Sequence, residues 1–229
     1  MTRVLALDAS TGWGSVALVS GEAPPREPLV VAELGIAART SHSAHLLRWI
    51  DRLLAEAGWD KSSVELYAAT RGPGSFTGIR VGLGTVRGLS LATGRGCRGV
   101  TTLEALAEAH GPAAGERLPL IDAGRGELFG ARYDARSSPP VELEPPWVAT
   151  RETALEGRAG AGRLLIPAPG TDLAGLQGEG ATVARPPRSI AAAVGRLVLL
   201  DAGTPAEAGQ PLAPLYVRPP DVRLRREGS

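Results

Sequence analysis

The chain repeats itself. The run Leu118-Pro-Leu-Ile-Asp-Ala-Gly-Arg-Gly-Glu-Leu-Phe-Gly-Ala-Arg-Tyr133 follows the pattern of Val4-Leu-Ala-Leu-Asp-Ala-Ser-Thr-Gly-Trp-Gly-Ser-Val-Ala-Leu-Val19, with Asp122 standing on Asp8 at an offset of 114 residues. A strand, an Asp-bearing turn and a returning strand that recur at one spacing mark a duplicated unit. A chain of 229 residues has room for two lobes, each with its own core. The expected division is residues 1–110 and 111–229. Pro and Gly become frequent beyond Ser137, so the second lobe is expected to be smaller and looser, and the polar run Arg223–Ser229 to fray.

Between the repeats the pattern alternates strand and helix, which makes an α/β protein. Val4–Leu7 and Gly14–Val19 read as a hairpin around Ala9–Gly12. Pro24, Pro25 and Pro28 break the chain before a third strand over Leu29–Ile36. Ser43 is the expected N-cap of a helix that Gly58 ends, with Leu46, Leu47, Ile50, Leu53, Leu54 and Ala57 as its apolar stripe and Trp49 beside it. Val64–Thr70 is a fourth strand. It leads into the Gly72-Pro-Gly74 turn and a helix, and a further helix follows from Thr102, with Glu104 in its first turn. Ile190–Leu200 is the clearest helix of the second half.

The helix after Gly74 carries glycine at 78, 82, 84 and 88. Four interior glycines cost about 2 to 4 kcal/mol relative to alanine, so something must pack closely against this helix to offset the loss. At 100° per residue Gly78, Val81, Gly82, Thr85, Leu89 and Ala92 share one face, while Ile79, Leu83 and Val86 share another. The second is expected to cover the sheet and the first to be left for another helix, so that Gly82→Leu would harm assembly more than folding.

Composition excludes several classes. Hydrophobic residues make up 43% and charged residues 21%, and no apolar run approaches the roughly 20 residues that span a bilayer, so no membrane role is expected. Arg3 and Asp8 interrupt the amino terminus where a signal peptide needs an apolar core, which points to the cytoplasm. Cys97 is the only cysteine, so no intrachain disulfide forms. A net charge of +1 gives no sign of a dedicated nucleic-acid binder.

Several motifs in order carry a resemblance: Leu5-Ala-Leu-Asp-Ala-Ser-Thr11, His42-Ser-Ala-His-Leu-Leu47, Arg71-Gly-Pro-Gly-Ser-Phe-Thr-Gly-Ile-Arg80, Thr101-Thr-Leu-Glu-Ala-Leu106, Ile121-Asp-Ala-Gly-Arg-Gly-Glu127 and Leu212-Ala-Pro-Leu-Tyr-Val-Arg218. In this order they resemble the TsaB (YeaZ) family of tRNA threonylcarbamoyladenosine synthesis, most strongly up to about residue 135. The resemblance implies the duplicated two-lobe actin-like, hexokinase and Hsp70-type ATPase fold. It also implies a non-catalytic subunit with no cofactor of its own. Such a subunit docks on a TsaD homologue through amino-terminal helices, in some systems together with the ATPase TsaE, pairs with itself when alone, and meets tRNA only within the complex. TsaD transfers a threonylcarbamoyl group to N6 of the adenosine next to the anticodon, using a metal on two histidines four residues apart. The matching positions here are Thr102 and Leu106, so that metal site does not carry over. The interface implied by the resemblance and the glycine helix comprises His45, Trp49, Gly78, Val81, Gly82, Thr85 and Leu89.

Other candidates have two readings each. Asp8, Ser10 and Thr11, with Asp122 in the second repeat, stand where actin-like ATPases hold phosphate, which leaves a stand-alone ATPase or phosphotransferase as the alternative function. The same turn can instead satisfy its own polar groups. His42 and His45 have metal spacing but no third ligand nearby in sequence, and a half-exposed helix start accounts for them. Ser75 reads as an N-cap; no G-x-S-x-G elbow surrounds it, so a peptidase is not expected. Cys97, between Arg95 and Arg98, is either a reactive or a buried thiol. Arg95, Arg98 and Arg125 are either a tRNA contact or a solvated basic surface.

Overall fold

The computed structural model describes residues 1–22, 27–37, 45–174, 176, 180–201 and 206–218. Pro24, Pro25, His42, Ser43 and the Arg223–Ser229 tail lie outside them.

Strand β1 (Thr2–Asp8) is buried from Val4 onward, and its side chains alternate between two apolar layers. It pairs antiparallel with β2 (Trp13–Gly21), which pairs antiparallel with β3 (Leu29–Ala37). On its other side β1 runs parallel to β4 (Leu66–Thr70), and β4 to β5 (Gly96–Val100), giving the order β3-β2-β1-β4-β5. Helices α1 (Leu46–Glu56) and α2 (Phe76–Thr93) pack against the face that carries Leu5, Leu7, Val16, Leu18 and Tyr67. Leu47, expected in the α1 stripe, is 57% exposed. The helix starts at Leu46 with His45 at its N-cap position, and the His45 side chain makes no capping hydrogen bond.

The second sheet is built from β6 (Glu116–Gly124), β7 (Glu127–Asp134), β8 (Val141–Thr150), β9 (Arg163–Pro167) and β10 (Thr182–Val183). Its order, read from β8, is β8-β7-β6-β9-β10, with two antiparallel pairs followed by two parallel ones. This is the topology of the first sheet again, and β6 and β7 begin 114 residues after β1 and β2. The fold is the duplicated actin-like α/β architecture. The copies differ in their turns: Arg125 and Gly126, at φ 59° and 76°, make a two-residue turn of the kind that matches strand twist.

Between the sheets lies a shared helical layer of α3 (Thr102–Glu108) and α4 (Ala191–Leu200). α3 leans on β6 and β7, although it belongs to the first half of the sequence. α4, from the second half, packs on β1 and β2. Its Gly195 lies so close that a Cβ there would stand 2.6 Å from Val19 Cγ2. Packing therefore crosses the sequence boundary at residue 110 in both directions. Among the described residues, no helix is long and apolar enough to cross a membrane.

Candidate partner interface and interlobe cleft

α2 begins as its sequence requires. Ser75 Oγ accepts from the Gly78 N–H at 3.2 Å, and Gly94 at φ 66° closes the other end. The roll of the helix differs from the expectation. A Cβ on Gly78 would lie 1.8 Å from the Ala9 carbonyl oxygen, and one on Gly82 would lie 3.1 Å from Leu7 Cδ1. Both glycines are buried against the chain's own first strand and the turn that follows it, which corrects their placement on a free surface. Val81, Thr85 and Leu89 are half-buried at the rim, while Arg80, Gly84, Arg87, Gly88 and Leu91 are exposed. A Cβ on Gly84 or Gly88 would meet nothing within 4 Å.

α1 flanks this rim. His45 and Trp49 stack with ring centroids 6.1 Å apart, and Trp49 packs against the amino-terminal core. Exposed Leu47 stands on a groove of about 180 Å³, with Ile50 and Leu54 of α1 on one wall and Leu89 of α2 on the other.

The Asp-bearing turn is self-contained. Asp8 is fully buried. Its Oδ1 accepts from the Ser10 N–H (2.9 Å), Ser10 Oγ (2.6 Å) and Thr70 Oγ1 (2.6 Å), and its Oδ2 from Thr11 Oγ1 (2.7 Å). Ser10 Oγ also reaches Thr102 Oγ1 at 2.9 Å. The Gly12 N–H, which a phosphate would need, donates to the Pro169 carbonyl at 3.1 Å, and the Ser75 N–H donates to that of Ser10 at 2.8 Å. The Asp8 carboxylate and the Ser10 and Thr11 hydroxyls are thus bonded within the protein. Asp122 is exposed across a cleft of about 360 Å³ from this turn and accepts from the Gly124 N–H at 2.7 Å.

Thr102 and Leu106 are fully buried, Thr102 against Ser10 and Leu106 in the interlobe core. Among the described residues no three His, Cys, Asp or Glu side chains gather to hold a metal. Cys97 is buried, with Sγ 3.8 Å from the Gln210 carbonyl, which is the structural reading of that thiol. Arg98 donates to the Val198 carbonyl at 3.1 Å, tying β5 to α4, while Arg95 and Arg125 are exposed.

Burial raises the Glu108 carboxyl above its usual range, with Arg196 at 3.2 Å and the Ser138 hydroxyl at 2.7 Å opposing it. Burial also raises Glu104, with Arg71 opposing, and lowers His110. Sequence reasoning missed one exposed cluster. Phe76 and Tyr216 stand 5.7 Å apart, and the Arg80 guanidinium lies 3.8 Å above the Phe76 ring. Their only signal was membership of two quoted motifs, 136 residues apart between Arg80 and Tyr216.

The fold and the spent turn define an actin-like protein whose first lobe offers a helical surface beside a self-satisfied phosphate position. Residues 35–138 match the family model of TsaD, tRNA N6-adenosine threonylcarbamoyltransferase. The Escherichia coli tRNA threonylcarbamoyladenosine biosynthesis protein TsaB is 34% identical over 133 residues, covering 57% of this chain and 54% of its own. YeaZ from Pseudomonas aeruginosa superposes with a TM-score of 0.73 at 25% identity, over 94% of this chain and all of its own. Another solved structure, described as an uncharacterized protein with similarity to peptidase YeaZ from Pseudomonas aeruginosa, reaches 0.75 at 26%, over 95% and 100%. The chain is similar to the TsaB/YeaZ proteins in both sequence and fold. Its alignment spans about half the length of the curated TsaB relatives it matches.

Proposed function

We propose that this chain serves in tRNA threonylcarbamoyladenosine biosynthesis as a cytoplasmic, non-catalytic subunit that pairs with a TsaD homologue and activates it. The observation that carries this reading is the state of Thr102 and Leu106. The TsaD-like part of the chain keeps strand, helix and turn, while the two positions that would present metal ligands point into packed interior. Docking uses the rim of α2, with Val81, Thr85 and Leu89, next to the bare backbone at Gly84 and Gly88, together with His45, Leu47 and Trp49 of α1. Small residues let a partner helix approach the backbone closely, and the apolar groove beneath Leu47 gains from being covered. Self-association uses the same surface, so a second copy and TsaD exclude each other. TsaE joins the assembled pair, and tRNA is met there.

The stand-alone ATPase loses ground to Asp8, which is fully buried with four hydrogen bonds from its own turn and Thr70, and to the Gly12 N–H, which Pro169 holds. A peptidase loses ground to Ser75, whose hydroxyl caps α2. The test is reconstitution. The chain alone is expected to transfer no threonylcarbamoyl group, the TsaD homologue of the same genome alone little, and the mixture to co-elute and turn over. Turnover by the isolated chain that Asp8→Ala abolishes would overthrow the proposal.

A further inference from the structure

Three of the quoted motifs meet at one place their sequence positions do not suggest. A cavity of about 290 Å³ opens beside edge strand β5. Arg71 reaches it from the end of β4, Glu104 from the first turn of α3, and Leu212 from the last described segment. Val100 and Val198 add apolar wall. Arg71 and Glu104 face the same space with opposite charge. Their backbones are bonded, Arg71 to Val100 and Leu215 and the Glu104 N–H to Thr101 Oγ1, but neither side chain makes a hydrogen bond or an ion pair within 4 Å with any described residue, although each lies within the other's field. The Arg71 stem is fixed against Gly99, where a Cβ would stand 3.2 Å from Arg71 Cδ. Arg98, beside them, donates to the Val198 and Asp201 carbonyls and pairs with the Asp201 carboxylate at 3.7 Å, so these two charges of the cavity wall offset each other.

Two opposite charges in a partly desolvated cavity close into an ion pair unless the backbone holds them apart. Here their side chains form no ion pair within 4 Å, and the cavity that they share with apolar walls holds about 290 Å³. What fits such a gap carries both charges itself. A carboxylate matches the planar fork of Arg71, an ammonium matches Glu104, and a small branched apolar group matches Val100, Val198 and Leu212.

We propose that this cavity binds a free α-amino acid with a small branched side chain, its carboxylate on Arg71 and its ammonium on Glu104. The site is independent of the α1–α2 surface and of any TsaD partner.

Calorimetry on the full chain tests it with L-valine as probe. Saturable one-to-one binding is expected at millimolar concentration or below. Isovalerate, which lacks the ammonium, and isobutylamine, which lacks the carboxylate, are each expected to bind at least tenfold more weakly. Arg71→Met and Glu104→Gln are each expected to lose at least tenfold, and Ala213→Trp, which fills the exposed mouth, to lose binding altogether. Should a variant fail to fold by circular dichroism, the two analogues on the native chain decide. No saturation below about 10 mM L-valine overturns the site. So does equal binding of either analogue, or binding that survives in the folded variants.

Discussion

A methyl group at Gly78 would stand 1.8 Å from the Ala9 carbonyl oxygen, whereas one at Gly84, on the same helix, would meet nothing. The two substitutions to alanine therefore have opposite signs. Gly78→Ala is expected to destabilise by about 1 to 3 kcal/mol or more as strand and helix are forced apart. Gly84→Ala is expected to stabilise by about 0.5 to 1 kcal/mol through helix propensity. Denaturant melts of the two variants check this, and equal effects would mean that α2 is rolled differently. Glu104 gives a pH signature. Its folded carboxyl is raised by burial above its ordinary value of 4.5, so the stability it contributes is full below that value and is lost as pH climbs through the folded value. Glu104→Gln has no such loss. Its melting temperature is expected to match the native chain near about pH 4 and to exceed it near about pH 8, and a constant difference across that range would refute the assignment.

At the scale of the element, α2 presents two sides with different duties. Gly84→Trp together with Gly88→Trp is expected to leave the melt nearly unchanged, since both positions are open, while abolishing self-association and TsaD capture. Light scattering and a pull-down on one preparation read both, and retained capture would move the interface elsewhere. The expectation for Gly82→Leu changes accordingly: added side-chain volume meets Leu7, so folding suffers first. The sequence period set Gly78 and Gly82 apart from Ile79, Leu83 and Val86, whereas the fold buries all five on one side of α2; Ser75 and Gly94 mark the helix ends. Periodicity contains no term for which side turns inward. That was set by glycine letting the Ala9 carbonyl approach, a contact 69 residues away. Strand β8 was illegible for another reason. Pro145 and Pro146 argue against a strand, yet β8 lies at the sheet edge and the two prolines fall in a register shift opposite β7, where missing donors cost little.

For the whole molecule the repeat was legible because both Asp turns preserve their offset, and the second sheet reproduces the topology of the first. The exchange of helices was not, because α3 and α4 carry apolar residues that suit either sheet. The cavity between Arg71 and Glu104 was hidden likewise, since its walls come from β4, α3, α4 and the 210–213 segment. A fragment of residues 1–110 is expected to bind a hydrophobic dye and to melt without cooperativity, because Val4, Ala6, Ala17 and Val19 lose the helix that covers them. A sharp unfolding transition with native near-ultraviolet dichroism would refute this.

The late position of α4 has a consequence in time. The first sheet's strands are complete by Val100, yet the helix that seals one of its faces starts at Ala191. At ribosomal speeds of roughly 5 to 20 residues per second, that face waits about 5 to 20 s for its cover during synthesis. For that interval the nascent chain is expected to carry one bare apolar sheet face, the kind of surface that chaperones hold.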